Sequence, residues 1–300
     1  MTAPHQITVG EATIGGPHGL NTGLLVGSIF YDKHSIVSDA FSGEFDADRA
    51  GKLLDRKTAL AKEYGVQMAV DVIAASEEAM EIFIPFVAER APLPILINAT
   101  EADVRVAGLR KAAEIGILDR CIFASLNEDT EDHELDALKE FRPAAVMVLA
   151  LDISDMTPEG SIAVIRDRYR PMLDEIGQDV PIIDVGAMDP PSIGISIRSI
   201  EAVISEFGYP AGCAFSNCFP QWTGLRSLGR EWVHLSLGTS LVAVRAAGGS
   251  FLHYGLIESA RVAAHAAGTA EVFYGFAAQD LDAMTLPSPN PLQRMFKLGT

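Results

Sequence analysis

Residues 144–151 read AAVMVLAL, an uninterrupted apolar run. The run is too short for a core helix, and it lacks the polar–apolar alternation of a strand with one solvated face. Strands of a parallel sheet have this composition because helices cover both of their faces. Seven other short runs share this character: residues 24–30, 66–72, 94–97, 121–123, 181–183, 211–215 and 232–237.

Amphipathic segments separate these runs. Asp46 is a favourable N-cap residue, and apolar residues recur at three- and four-residue steps after it, which predicts a helix. Gly116 and Gly208 follow two similar segments, as glycine commonly does at helix C-termini. The helices are predicted within residues 46–64, 77–87, 101–115, 132–140, 161–176 and 196–207.

Alternation of strands and helices, at about 30 residues per unit, predicts an α/β protein with a (β/α)₈ barrel, or TIM barrel. We expect residues 1–300 to form a single domain of this kind. A doubly wound sheet is the alternative. It usually carries a G-x-G-x-x-G turn after its first strand, and this chain has none there.

The composition is strongly acidic, with 40 Asp and Glu residues against 23 Lys and Arg and a net charge of −17. Partners bound by phosphate neutralisation, such as nucleic acids and anionic membranes, are therefore not expected. No apolar stretch reaches the roughly 18 residues of a membrane span, and the N-terminus lacks the pattern of a signal peptide. We expect a cytoplasmic protein.

Metal-ligand patterns are missing from the sequence. The seven histidines show no H-x-H or H-E-x-x-H spacing. Cys213 and Cys218 are separated by a spacing that matches no common zinc or redox motif. We therefore predict that the protein holds no metal of its own.

Polar residues follow the predicted strands, at the end of the barrel where active sites of this fold lie. In chain order they are Ser28, Asp71, Asn98, Ser125, Asp152, Asp184, Asn217 and Ser236. No Lys, Arg or His is among them, which argues against a Schiff-base lysine or a metal hydrolase. Carboxylates and carboxamides suit a flat neutral heterocycle with several hydrogen-bond donors and acceptors.

Helix capping is the competing explanation for such residues. Glu101 follows Asn98 by three positions, which matches a capping box, so both roles stay open for Asn98. Helix capping is favoured for Asp152 and Ser28. Capping does not explain Asp184 or Asn217, because each lies well before its next helix, and we predict a functional role for both.

The segment Gly238-Thr239-Ser240 supports a rival function. It follows the eighth predicted strand, where barrels often bind phosphate through backbone N–H groups. An isomerase or lyase acting on a phosphorylated substrate therefore remains an alternative.

Several strings resemble the H subunit of tetrahydromethanopterin S-methyltransferase. They occur in order between about Thr22 and about Ala264, which covers most of the chain. They are GSIFY at 27–31, H-x-IVSD at 34–39, G-x-FD at 43–46, IN-x-T at 97–100 with VR at 104–105, S-x-N at 125–127, ID at 183–184 and YG-x-IE at 254–258.

This resemblance implies a pterin-binding homodimeric barrel with a separate corrinoid-binding protein docked over its mouth. Bacterial relatives of this family act as methylcorrinoid protein:tetrahydrofolate methyltransferases. The expected function is therefore methyl transfer between a corrinoid on a partner protein and N5 of tetrahydrofolate. A non-catalytic protein that binds pterin or docks a corrinoid protein remains the alternative within the family.

The resemblance also implies roles for individual residues. Asp184 matches the strand-six carboxylate that holds the pterin ring, and Asn217 matches the strand-seven Asn near N5, so both are predicted to be catalytic. Two positions depart from the family pattern: Asn98 replaces the usual Asp, and Ala124 replaces the usual Asn. The predicted pterin-binding residues are Asp71, Asn98, Ser125, Asp184 and Asn217.

Overall fold

Eight parallel strands close into a barrel in the computed structural model, which describes residues 2–296. The twelve strands within these residues are β1 (Gln6–Val9), β2 (Ala12–Gly15), β3 (Leu24–Ile29), β4 (Val37–Asp39), β5 (Glu44–Phe45), β6 (Met68–Ile73), β7 (Ile95–Asn98), β8 (Cys121–Leu126), β9 (Ala145–Leu149), β10 (Ile182–Asp184), β11 (Ala211–Cys213) and β12 (Phe251–Leu256). The barrel comprises β3 and β6 to β12, with β12 paired to β3. The predicted TIM barrel is confirmed.

Helices cover the outer face of the barrel. They are α1 (Ala47–Tyr64), α2 (Glu77–Arg90), α3 (Ala102–Glu114), α4 (Asp132–Phe141), α5 (Pro158–Val164), α6 (Arg170–Ile176), α7 (Ile193–Phe207), α8 (Thr223–Leu228), α9 (Arg230–Ala246), α10 (Ala260–Asp280) and α11 (Pro291–Met295). Asp46 caps α1 as predicted, since its side chain accepts the N–H of Arg49, and Gly208 ends α7 with φ of 69°. Among residues 2–296, no helix combines the length and apolar character needed to cross a membrane.

A hairpin of β1 and β2 closes the end of the barrel at which the strands begin. The Gly10 N–H donates to the carbonyl of Asp119, just before β8, and Gln67, just before β6, bonds Thr13. Ile14 packs with the inward-facing Leu24 and other inner side chains of the barrel. The carboxyl ends of the strands, at the opposite end, are left to carry the site.

The eighth strand was predicted at the wrong place. Residues 232–237, WVHLSL, lie inside α9, and the strand that closes the barrel is β12. A short apolar run does not distinguish a strand from a helix, and here the run is one part of a 17-residue helix. Gly238-Thr239-Ser240 also lies within α9 and forms no loop at the strand ends.

Candidate active site

A cavity of about 330 Å³ opens where the barrel strands end, a size suited to a small ligand. Leu96, Met147 and Phe251 belong to the inner core of the barrel and form its apolar floor. Six of the predicted site residues border this cavity together: Ser28, Asp71, Asn98, Ser125, Asp184 and Asn217.

Asp184 ends β10 and is buried, with 7% of its surface exposed. Its Oδ1 accepts the N–H groups of Gly186 at 2.8 Å and Ala214 at 3.2 Å, so one oxygen ties together the loops after β10 and β11. Its Oδ2 has no hydrogen-bond partner within residues 2–296, and the residue borders the cavity. Burial raises the pKa of Asp184, and the two N–H bonds offset this only in part. Oδ2 is therefore free to accept a donor from a ligand.

Asp71, on β6, is the centre of a buried hydrogen-bond network. Its Oδ2 accepts the Ser28 hydroxyl at 2.7 Å and lies 3.1 Å from Nε2 of His253, and its Oδ1 accepts Nδ2 of Asn98 at 2.9 Å. Burial by itself would raise the pKa of Asp71, but the bonds from His253, Ser28 and Asn98 outweigh it and lower that pKa. The carboxylate is 1% exposed, so protein donors cover nearly all of it.

The amide of Asn98 has its orientation fixed by this network. An ionised carboxylate can only accept, so the Nδ2 group must face Asp71. Oδ1 of Asn98 then has no protein donor within residues 2–296 and is left for a ligand. Asn98 does not cap the next helix, because Glu101 occupies the N-cap position of α3. Of the two roles left open by the sequence, capping is therefore excluded, and the side chain borders the cavity.

Ser125 and Asn217 border the cavity, and their side chains are held less firmly than those of Asp71, Asn98 and Asp184. Ser125, on β8, is half-buried, and Asn217 is exposed on the 3₁₀ turn Phe215–Gln221 that follows β11. Neither side chain forms a hydrogen bond within the described chain, so both can turn toward a ligand. Ala124, beside Ser125, also borders the cavity.

Two of the eight polar residues that were predicted at the strand ends lie outside the cavity. Asp152 accepts the N–H and hydroxyl of Ser154 in a turn outside the cavity, and the helix-capping role favoured for it is wrong because Thr157 caps α5. Ser236 lies in α9, so its predicted place at the end of an eighth strand is wrong. Helix capping was favoured for Ser28 as well, but its side chain borders the cavity and bonds Asp71.

His253 is the site residue that the sequence analysis missed. It lies on β12 between Leu252 and Tyr254, and its side chain borders the cavity. The prediction that no His follows a barrel strand at the site is therefore wrong, because the eighth strand was predicted in α9 and not at β12. The stretch FLHYGL at 251–256, in which a His lies between apolar residues, was the feature of the sequence that could have indicated both the strand and the site residue.

The cavity wall carries acidic groups and an imidazole. Its titratable side chains are those of Asp71, Asp184 and His253, and no Lys or Arg of residues 2–296 borders it. Phosphate sites usually rely on such cations or on helix N-termini. The arrangement suits a neutral ligand that donates N–H bonds to buried acceptors.

Comparison with known proteins identifies the family. The family model described as the MtrH subunit of tetrahydromethanopterin S-methyltransferase matches residues 5–285. The chain belongs to the MtrH family. The H subunit of tetrahydromethanopterin S-methyltransferase from Methanothermobacter marburgensis is 33% identical over 288 residues, which cover 92% of each chain. The corresponding H subunit from Methanosarcina acetivorans is 30% identical over 96% of each chain. This MtrH-family chain is thus related along nearly its whole length to methyltransferase subunits.

Solved structures with a similar fold include dihydropteroate synthases. The enzyme from Xanthomonas albilineans superimposes with a TM-score of 0.61 at 15% identity, covering 95% of this chain and 99% of that chain. The Thermus thermophilus enzyme gives a TM-score of 0.60 at 13% identity, covering 90% and 100%. At these identities the likeness supports the barrel fold of this MtrH-family member.

Proposed function

We propose that this protein, acting as one barrel domain, transfers a methyl group between a corrinoid carried by a partner protein and N5 of tetrahydrofolate. Membership of the MtrH family supports methyl transfer and a reduced pterin. The resemblance set out in the sequence analysis implies bacterial relatives that act on tetrahydrofolate, and tetrahydrofolate is the pterin that we propose here in place of tetrahydromethanopterin. That resemblance also supports two further parts of the proposal: a homodimer, which light scattering tests, and a protein without a metal of its own.

The observation that carries the proposal is the free Oδ2 of Asp184. A pterin ring presents an amino group and a ring N–H along one edge, and a carboxylate is their natural acceptor. Oδ1 of Asp184 bonds the protein, and Oδ2 has no partner among the residues that the structure describes. The fixed Oδ1 of Asn98 offers a second acceptor. Two acceptors on the wall of one cavity suit a donor-rich ring.

The structure removes the observation that supported the alternative function, an isomerase or lyase acting on a phosphorylated substrate. The segment that suggested a phosphate loop, Gly238-Thr239-Ser240, lies within α9. The cavity wall carries two carboxylates and no Lys or Arg within the described residues, which is unfavourable for an anion. We therefore do not propose an isomerase or lyase.

Methyl transfer of this kind is a displacement at carbon, for which the partner's corrinoid supplies or accepts the methyl group. When N5 receives the methyl group, its lone pair would form the new N–C bond while the bond between the methyl group and the partner's corrinoid breaks and leaves its electron pair on the corrinoid, and N5 then loses its proton to solvent. In the reverse direction N5 must be protonated before the N–C bond breaks. The residues of this chain have two tasks: they hold the ring in line, which can supply several kcal/mol of the barrier, and they tolerate both states of N5. Asn217 suits the second task, since its amide, which has no partner in the described part of the chain, can turn to donate or accept.

Calorimetric titration tests the binding part of this proposal. We expect tetrahydrofolate to bind with one site per chain, and a phosphorylated sugar of similar size to show no binding. A parallel titration uses tetrahydromethanopterin, and tighter binding of that pterin would contradict the proposal that tetrahydrofolate is the substrate. Assay of methyl transfer from methylcobalamin to the bound pterin then separates an enzyme from a non-catalytic binding protein.

Replacement of Asn217 by alanine is expected to lower kcat about fivefold and to leave tetrahydrofolate affinity nearly unchanged. The amide contributes a single neutral hydrogen bond, which is worth about 1 kcal/mol, and it acts mainly while N5 changes its bonding. Steady-state kinetics with methylcobalamin and tetrahydrofolate measure both quantities. A raised KM with unchanged kcat would instead make Asn217 an ordinary binding contact.

The affinity for tetrahydrofolate is expected to fall as the pH is lowered through the pKa of Asp184. Ionised Asp184 accepts from the ring, whereas the protonated form loses that capacity in part. Because burial raises this pKa, the loss should occur above the ordinary carboxyl range near 3.9. Titrations at a series of pH values measure the effect, with Asp184→Asn as the control that should lack it. The same pH dependence in both proteins would assign it to the ligand or to another group.

A further inference from the structure

We propose that His253 is a positioning residue that acts through Asp71 to determine which atom of Asn98 faces the cavity. The inference rests on the proposed function for its ligand. Its geometry involves three elements: β12 carries His253, β6 carries Asp71 and β7 carries Asn98.

The tautomer of His253 follows from its backbone contact. The N–H of Gly255 donates to Nδ1 at 3.2 Å, so Nδ1 must carry a lone pair. The hydroxyl of Ser216 lies 3.3 Å from the same atom and can add a second donor. The imidazole hydrogen is therefore on Nε2, which lies 3.1 Å from Oδ2 of Asp71. His253 can act on Asp71 only as a donor.

The charge of Asp71 depends on this donor. A carboxyl group that is 1% exposed would be raised in pKa by its burial, and the contact with His253 is prominent among those that reverse the shift. Ser28 supplies a second donor to the same oxygen. With both donors on Oδ2, the carboxylate stays ionised and Oδ1 accepts from Asn98.

The consequence for the ligand lies at Asn98. An ionised Asp71 holds the Nδ2 group of Asn98 and leaves its carbonyl oxygen to the cavity, where it accepts. A protonated Asp71 could donate its proton to that oxygen, and the amide would then turn its Nδ2 group to the cavity. If the Nδ2 group of Asn98 faces the cavity, it meets an N–H donor of the pterin edge. Two donors cannot form a hydrogen bond, so pterin binding is weakened. His253 thus helps to select a donor-rich ligand edge through Asp71 and Asn98.

Two substitutions of His253 separate this role from simple packing. Glutamine places an amide N–H near the position of Nε2, so His253→Gln should keep tetrahydrofolate affinity within about twofold. Asparagine keeps a polar atom near Nδ1 but does not reach Asp71, so His253→Asn should weaken binding about tenfold. In an Asn98→Ala background the same His253→Asn change should cost nothing further, because the residue through which it acts is gone.

Calorimetric titration of wild type, the single variants and the double variant provides the test. Equal affinity of wild type and His253→Asn would overturn the inference, and so would the same loss with and without the side chain of Asn98. If His253→Asn does not fold, Ser28→Ala, which removes the other donor to Oδ2, should weaken binding in the same direction, and unchanged affinity there would count against the inference.

A measurement without ligand keeps this inference separate from the proposed function. Carboxyl ¹³C NMR can follow the titration of Asp71 in the free protein. We expect the pKa of Asp71 to be higher in His253→Asn than in wild type and to stay low in His253→Gln. An unchanged titration in His253→Asn would overturn the inference. If these shifts appear but wild type does not bind tetrahydrofolate, the proposed function fails and the role of His253 toward Asp71 and Asn98 stands.

Discussion

Replacement of Asp184 by asparagine is expected to weaken tetrahydrofolate binding by about 10- to 100-fold. Hydrogen bonds to a charged group are worth about 1.5–3 kcal/mol, and 1.4 kcal/mol corresponds to a factor of ten. The substitution keeps an oxygen for the N–H groups of Gly186 and Ala214 and replaces Oδ2 by a donor. The fold should therefore be retained while the cavity-facing acceptor is lost. Calorimetric titration measures the affinity.

Asp152→Asn is the matched control for this substitution. Asp152 also follows a barrel strand, β9, but its side chain bonds Ser154 in an exposed turn and does not border the cavity. The control should bind tetrahydrofolate as wild type does. Unchanged affinity in Asp184→Asn, or an equal loss in both variants, would remove Asp184 from the pterin site.

Replacement of Arg105 by methionine is expected to lower the free energy of unfolding by about 3–5 kcal/mol. The guanidinium and the carboxylate of Glu134 are both almost completely buried, and Nε lies 2.7 Å from Oε1 of that residue. Nη1 donates to the carbonyls of Ala99 and Thr100, which directly follow Asn98. Methionine fills similar space but leaves a buried carboxylate and two carbonyls without their donor. Chemical denaturation measures the loss.

An exposed ion pair provides the comparison for this variant. Arg90 contacts Asp55 at 2.6 Å, but both side chains are about half exposed, at 49% and 52%. Arg90→Met should therefore change stability by less than about 1 kcal/mol. Similar losses in the two variants would show that burial of the Arg105–Glu134 pair is not what makes it important. A stable Arg105→Met protein with weakened tetrahydrofolate binding would assign Arg105 to the placement of Asn98 alone.

Most of the barrel could be predicted because its strands are buried on both faces. Runs such as 94–97 and 144–151 contain only apolar residues, and amphipathic helices separate the strands. The last strand was different because β12 contains His253 and Gly255, and the run at 232–237 in α9, with His234 and Ser236, is about equally apolar. Local composition does not distinguish these two segments, and only the closure of the barrel decides between them.

The candidate site was predicted where a residue had no local explanation. Asp184 was singled out because no helix begins directly after it, and the structure places it on the cavity wall. The network around Asp71 could not be predicted, since Ser28, Asn98 and His253 come from three other strands. Residues distant in sequence meet there only because the barrel brings their strand ends together.

The hydrogen bond between Asn98 and Asp71 accounts for an Asn at position 98. The resemblance to the family implies an Asp at this position, and Asn98 still offers the cavity an acceptor oxygen because Asp71 holds its Nδ2 group. Two ionised carboxylates at this distance would repel each other, so Asn at 98 and Asp at 71 form a compatible pair. The substitution therefore preserves hydrogen-bond acceptance toward a ligand while it removes one negative charge.

The most direct test is the transfer of a methyl group from methylcobalamin to tetrahydrofolate by wild type and Asp184→Asn, with 5-methyltetrahydrofolate measured by chromatography. We predict product that increases with the concentration of wild-type protein and a rate at least tenfold lower for Asp184→Asn at subsaturating tetrahydrofolate. Absence of product with wild-type protein, or equal rates for the two proteins, would contradict methyl transfer to a pterin held by Asp184.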